Sequence, residues 1–311
     1  MATIKEKEGI IYGAVSYILW GIVPVYWKQL EHIGAIEILV HRVLWSCMFM
    51  LLLLSVTKKL PALFQYIKEI GSDFKKLLAL FAASALVSTN WGIFIWAVNH
   101  GRILDTSLGY YINPLISVLL GVIVLKEKLS KAQVVSFCLA AIGVITLTLY
   151  FGEFPWIAFG LALSFAFYGL VKVMIGAEAA IGLTLETLMM LPIAIGYLSF
   201  SFIRGDMDLP AAPDLLLLIG GGIATALPLL LFAIGANNIP FTLLGFLQYI
   251  APTLSMLVGV LIYGEAFTKV HALSYAFIWS ALLLFSFSQM KMRLNRQSTE
   301  GTQKKAIVSS E

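Results

Sequence analysis

The chain has 311 residues, 60% of them hydrophobic and 12% charged, with a mean hydropathy of +0.91, whereas soluble domains are about half apolar and a quarter charged. No soluble interior of this size hides that much apolar surface. The net charge of +4 sits in short segments between apolar runs and in a tail, which excludes nucleic-acid binding. The composition defines an all-α integral membrane protein, and no separate soluble domain fits between its spans.

Ten apolar runs, each long enough to cross the ~30 Å hydrocarbon core as a helix, are predicted at about residues 9–27, 36–55, 77–98, 106–125, 132–150, 156–174, 183–203, 214–235, 241–262 and 271–289. The first is expected to stay in the mature chain, because Trp20 and Pro24 interrupt it and no small-x-small cleavage site closes it. Between the second and third spans, Leu60, Leu63, Phe64 and Ile67 fall at i, i+3, i+4 and i+7 among Lys58, Lys59, Lys68, Lys75 and Lys76. That is the pattern of a short basic helix on an anionic leaflet. Cys47 and Cys138 lie inside spans and are expected to be small core residues, with no metal or disulfide role.

Basic residues set the orientation. With the N-terminus in the cytoplasm, the inner segments hold Lys5, Lys7, the five lysines of the 56–76 segment, Lys126, Lys128, Lys131, Lys172, Lys291, Arg293, Arg296, Lys304 and Lys305. The outer segments hold Lys28, Arg102, Arg204 and Lys269, and Arg42 lies within a span. This asymmetry predicts both termini inside.

The chain repeats itself. Ser16, Tyr17, Trp20 and Gly21 recur 148 positions later as Ser164, Phe165, Tyr168 and Gly169. At an offset of 138, Pro114, Ser117, Gly121, Glu127, Ser130 and Lys131 pair with Pro252, Ser255, Gly259, Glu265, Thr268 and Lys269. Because the unit has five spans, its two copies enter the membrane from opposite sides. The charges agree: the lysine-rich 56–76 segment has as its counterpart one holding only Arg204 with Asp206, Asp208 and Asp214. The expected organisation is an N-terminal tail 1–8, a first five-helix repeat 9–150, a second, inverted repeat 156–289, and a basic and polar cytoplasmic tail 290–311. Ser117 to Gly121 and Ser255 to Gly259 are small-xxx-small pairs that let helices approach closely, and with Pro114 and Pro252 they form the candidate packing or hinge positions.

Ionisable groups inside spans cost about 2.5–3.5 kcal/mol each on insertion scales, so they mark functional candidates. The second span has Glu37 and His41 at i,i+4, a candidate proton-coupling pair, with Arg42 a third of a turn round. Glu186 lies about one turn inside the seventh span. Deeper polar groups are Asn90 and Trp91, Tyr110, Tyr111 and Asn113 before Pro114, and Gln248 and Tyr249 before Pro252. Each proline frees the carbonyl four residues earlier, tolerated where backbone lines a cavity. Tyr26, Trp27 and Trp156 are assigned instead to an interfacial aromatic belt. Glycines 220 to 222 suit close packing or a bend, and no HExxH, GxSxG or phosphate-cradling loop is present.

The stretches AVSYILWGIVPVYWK from Ala14 to Lys28, HRVLWS from His41 to Ser46, SLGYYINPLISVLLGVIVLKEKL from Ser107 to Leu129, and LLGFLQYIAPTLSMLVGVLIYGE from Leu243 to Glu265 resemble the RarD group of the EamA family, within the drug/metabolite transporter superfamily. The resemblance spans about residues 9–290. It implies a bacterial cytoplasmic-membrane carrier with a cavity walled by spans one to four and six to nine, and spans five and ten at the periphery. The expectation is a secondary transporter for a small-molecule solute, working by alternating access without a cofactor. Arg42, Asn90, Trp91, Tyr110, Asn113, Gln248 and Tyr249 are its candidate solute contacts. Solute identity, direction of transport and oligomeric state stay open. The competing classes are an intramembrane enzyme acting on a lipid or hydrophobic metabolite, for which no catalytic motif exists, and a non-transporting sensor or assembly protein, for which no effector domain exists.

Overall fold

A computed structural model describes residues 4–100, 103–151, 155–205, 210–264 and 267–308. Its helices are α1 (Ile4–Lys28), α2 (Ala35–Val56), α3 (Leu60–Ser72), α4 (Phe74–Asn99), α5 (Ile103–Ile123), α6 (Lys131–Phe151), α7 (Trp156–Ile175), α8 (Ala179–Arg204), α9 (Ala212–Asn238), α10 (Phe241–Leu247), α11 (Ile250–Tyr263) and α12 (Lys269–Val308). Ten segments are long and apolar enough to span a membrane, with α10 and α11 together making the ninth. Helices are what lipid demands, since a backbone with no water around it must satisfy its own donors and acceptors.

The helix contacts fit the inverted repeat. The repeated units run α1, α2, α4, α5, α6 and α7, α8, α9, α10/α11, α12. The packing of α1 on α9 is answered by α7 on α4, and that of α5 on α7 by α1 on α11. Three pairs bring equivalent helices together: α6 with α12, α2 with α8, and α5 with α10. The α6–α12 pair stands to one side, as the resemblance implies for spans five and ten.

Three local features depart from the sequence reading. The stretch expected as a polar tail continues the last span as helix to Val308; 40 residues at about 1.5 Å each make about 60 Å, twice the hydrocarbon thickness. Cys47 is buried, but Cys138 is exposed on the outer surface of α6, where lipid accepts a small apolar side chain as readily as a core does. The ninth span breaks at Gln248 and Tyr249, whereas α5 runs unbroken through the equivalent Pro114. At the break Ala251 N donates to the Gln248 carbonyl (3.2 Å) and the Tyr111 hydroxyl to the Pro252 carbonyl (3.1 Å), so the carbonyl freed by Pro252 is taken up within the protein.

Close approach explains several glycines. Gly121 of α5 sits against the start of α10, where a Cβ would come within 2.7 Å of Thr242 Cγ2. There the Glu127 carboxylate accepts from the backbone N–H groups of Phe241 (2.7 Å) and Thr242 (2.8 Å), satisfying two donors that a helix N-terminus leaves free. Its repeat partner Glu265 lies outside the described residues, as do Arg102, Asp206 and Asp208. Glycines 220 to 222 on α9 receive Tyr26 and Trp27 of α1 and the Trp45–Ser46 backbone of α2. The Ser46 hydroxyl closes that contact on the Gly222 carbonyl at 2.9 Å. Helix α3 buries Leu63 and Ile70 against α2, α4 and α8 and leaves Phe64 and Ile67 exposed.

Candidate functional site

Arg42 stands two turns into α2, held by α9 and two aromatic rings. Its Nε donates to Thr225 Oγ1 at 2.9 Å, and the guanidinium lies 4.7 Å from the ring centroid of Trp27 and 5.3 Å from that of Trp91. Arginine's flat, weakly hydrated head suits such a sandwich. Among the described residues no carboxylate pairs with it. The Tyr110 phenol, 47% exposed, lies within electrostatic reach. The result is a positive charge inside the membrane-spanning region, fixed in place yet not neutralised.

Tyr26 and Trp27, assigned from sequence to an interfacial belt, turn inward instead. The Tyr26 hydroxyl donates to the Leu217 carbonyl, and Trp27 packs over Gly221 and beside Arg42. Both belong to α1's contact with α9, which the glycine run makes possible. Trp156, 76% exposed, fits the belt.

Below Arg42, five helices enclose a narrow void lined by Val43 of α2, Val87 and Trp91 of α4, Tyr168 of α7, Glu186 and Thr187 of α8, and Leu229 of α9. Its water-accessible volume is about 10 Å3, enough for one water molecule, where ligand pockets run to about 300–1,000 Å3. The bundle must open before a solute enters. Beside the void, Tyr17, Trp20, Phe165, Tyr168 and Phe232 stack ring against ring, with centroid spacings of 5.4 to 6.3 Å.

Opposite Arg42 the void meets a buried ion pair. Lys172 Nζ is 2.7 Å from Glu186 Oε1, and the Tyr168 hydroxyl donates to Glu186 Oε2 at 2.9 Å. Lys172 and Glu186 are only 7% and 3% exposed. Lys172, counted with the inner segments from sequence, lies in the last turn of α7, four residues before Gly176, and its charge is paired with Glu186; a lysine near a span end reaches inward as readily as outward.

The remaining candidates divide between the void and the surrounding packing. Trp91 joins Arg42 to the void, but the Asn90 amide donates to the Leu161 carbonyl (2.8 Å) and Ser164 Oγ (3.0 Å), tying α4 to α7. Asn113 and Gln248 are buried around Ser117, whose hydroxyl is 3.3 Å from Asn113 Oδ1 and 3.2 Å from Gln248 Oε1. The Gln248 side chain lies against the buried Tyr17 hydroxyl of α1. Tyr249 points elsewhere, into an apolar cluster with Tyr111 and Tyr275, since successive residues of a helical backbone point about 100° apart. Ser255 donates to the Gly21 carbonyl of α1 at 3.2 Å, and Gly259 is buried. His41 Nδ1 accepts from Trp45 Nε1 at 3.3 Å, and no hydrogen bond joins it to Glu37 among the described residues. Trp27, Thr225, Tyr168 and Lys172 were not singled out as site residues. Lys172 had a usable signal, a lysine four residues from a tyrosine on an apolar run; Thr225 had none.

A bundle of ten helices long and apolar enough to cross a membrane, with an unneutralised cation, aromatic walls and a buried ion pair at its centre, has the build of a membrane transporter. The comparisons agree: the chain belongs to the EamA-like transporter family, which matches residues 7–149. It is 48% identical to "Uncharacterized transporter YojE" of Bacillus subtilis (strain 168) over 94% of this chain and 98% of that one. It is 41% identical to "Protein RarD" of Escherichia coli (strain K12) over 90% of this chain and 94% of that one. One solved structure, 15% identical, superposes with a TM-score of 0.70 over 92% of this chain and 99% of that one, which shows a shared fold. The chain is a multi-pass protein of the bacterial inner membrane.

Proposed function

We propose that this protein is a secondary transporter that moves a small metabolite or amphipathic drug-like solute across the cytoplasmic membrane by alternating access between its two five-helix halves, without enzymatic chemistry. The observation that carries the reading is Arg42, held between Trp27 and Trp91 with no carboxylate partner among the described residues, next to a narrow void that Trp91 also lines. Keeping a cation there is costly unless something anionic visits it. The solute therefore presents a carboxylate or other anionic group, alone or in a zwitterion, to Arg42, and an apolar or aromatic body to Trp91, Val43 and Val87. Gln248 and Tyr17, buried polar side chains that lie against each other, supply further polar contacts once the bundle opens. Both termini face the cytoplasm, and α3 lies on the inner leaflet with Phe64 and Ile67 in lipid. Vesicles of phosphatidylethanolamine and phosphatidylglycerol containing the purified chain, screened with labelled amino acids, aromatic carboxylates and phosphorylated metabolites, test the reading. Accumulation of unchanged solute, abolished by Arg42→Ala, is expected. A chemically altered product, or uptake indifferent to Arg42→Ala, refutes it.

A further inference from the structure

The Lys172–Glu186 pair is not needed to hold its two helices together. Helices α7 and α8 are already joined by the three residues Gly176 to Glu178, and the turn is pinned to α9 by the Asn237 amide on the Ala177 carbonyl (2.7 Å). A buried ion pair is weak evidence for stability, because desolvation offsets most of its Coulomb attraction. Its position carries more information. Glu186 stands eight residues beyond Glu178, the N-cap residue of α8, and Arg42 stands eight beyond Gly34, the N-cap residue of α2. These equivalent helices of the two halves pack on each other, so each half contributes one ionisable group at the corresponding position, from opposite sides of the void: a free cation from the first and a neutralised anion from the second.

We propose that Glu186, with Lys172 and Tyr168, is a proton-binding site that couples proton uptake to binding of the solute's anionic group. The inference rests on the carrier reading above and deepens it. With Glu186 as the carboxylate, Oε1 accepts a hydrogen bond from the Lys172 ammonium and Oε2 accepts one from the Tyr168 hydroxyl, and the pair is neutral. One proton arriving from water converts the carboxylate to a carboxylic acid, and Lys172 keeps its own three protons. No other bond forms or breaks. The site then carries one net positive charge, so with Arg42 the centre holds two uncompensated cations. An anionic solute restores neutrality. Linkage makes the effect reciprocal: the proton tightens anion binding, and the anion tightens proton binding by the same factor.

The surroundings favour this role. The void borders Glu186 directly and has room for the single water that proton delivery requires. The titratable groups nearby are Tyr168 and Lys172 of α7, Cys47 of α2 against Thr187, Arg42 beyond Val43 on α2, and Tyr17 of α1 across the Phe232 ring. Helices α4 and α9 line the void with Val87, Trp91 and Leu229. None of these neighbours is a second carboxylate, so proton uptake falls on Glu186.

The test is infrared difference spectroscopy of the full chain in phosphatidylethanolamine–phosphatidylglycerol vesicles, titrated from mildly alkaline to mildly acidic pH, with hydrogen exchange of the segment 172–187 on the same samples. A protonated-carboxyl stretch is expected to appear reversibly on acidification. It should be lost in Glu186→Gln, kept in Glu37→Gln, and displaced to higher pH in Lys172→Met, where the carboxylate has no counter-ion. Exchange across 172–187 should stay slow in Glu186→Gln, because the short turn and the Asn237 contact hold α7 and α8 together without the pair. A band that survives Glu186→Gln, or no band in folded protein across the range, overturns the proposal. So does fast exchange across 172–187 in folded Glu186→Gln, which would make the pair a structural clamp. Should Glu186→Gln fail to fold, Glu186→Asp keeps a carboxyl whose band must shift; an unshifted band again refutes the assignment. Neither measurement needs a solute. Their failure leaves the carrier reading standing, and vesicles that titrate as expected yet move no solute refute the carrier reading alone.

Discussion

Replacing Arg42 with methionine separates a functional charge from a structural one. The substitution removes a charged hydrogen bond to Thr225, worth about 1.5–3 kcal/mol, and two ring contacts worth about 0.5–1 kcal/mol each. Thr225 is not left unsatisfied, because its hydroxyl already donates to the Gly221 carbonyl at 2.8 Å. Against these losses, removing a guanidinium from a span recovers about 2.5–3.5 kcal/mol. The net change in stability is expected to lie between a gain of about 1 and a loss of about 2.5 kcal/mol, with methionine filling much of the same volume between Trp27 and Trp91. Affinity for an anionic ligand should fall much further: losing one charge-assisted contact of about 1.5–3 kcal/mol weakens Kd by roughly 10- to 150-fold. Melting of the detergent-purified variant, alone and against a dilution series of a carboxylate that stabilises the wild type, measures both quantities. Arg42→Lys should fall between, since a compact ammonium has neither the Nε donor nor the flat face. A methionine variant that melts far below the wild type yet binds the carboxylate equally well would show that Arg42 serves the fold and would sink the argument.

Other expectations follow from single contacts. Glu127→Ala removes both acceptors at the start of α10 and should destabilise the α5–α10 contact by about 1–2 kcal/mol, read as faster hydrogen exchange at Phe241 and Thr242; unchanged protection there would contradict the cap. At Gly222 a Cβ overlaps the Trp45 backbone, so Gly222→Ala should lose about 1–3 kcal/mol. Gly92→Ala, with open space around it on α4, should be neutral or stabilising by up to about 1 kcal/mol; equal melting temperatures for the two variants would refute the packing of α2 on α9. For orientation, a membrane-impermeant maleimide on a cysteine-free background should label Glu31→Cys in intact cells and Ser72→Cys only after permeabilisation. The reverse pattern would invert the topology.

The number of spans, their approximate ends and the helical nature of the 60–72 segment were all legible in the sequence. Each depends on local quantities: run length against bilayer thickness, the period of Leu60, Leu63, Phe64 and Ile67, and the absence of water to satisfy a non-helical backbone. Arg42, Trp91 and Glu186 were also legible as exceptions within apolar runs, because a polar group in a span is costly wherever the helix happens to pack. Which partner each exception takes was not local. Thr225 meets Arg42 across 183 positions, and Trp27 reaches the same guanidinium only because Gly221 lets α1 approach α9. Lys172 was read as one more basic residue at a span end until α7 and α8 folded back on each other and brought Glu186 to within 2.7 Å. Tyr249, next to Gln248 in sequence, faces a different cluster, because successive residues of a helical backbone point about 100° apart. A sequence determines what a residue costs in the membrane; only the packed bundle decides whether that charge is neutralised, as at Lys172, or left for a solute, as at Arg42, because neutralisation depends on distances between helices that no local pattern encodes.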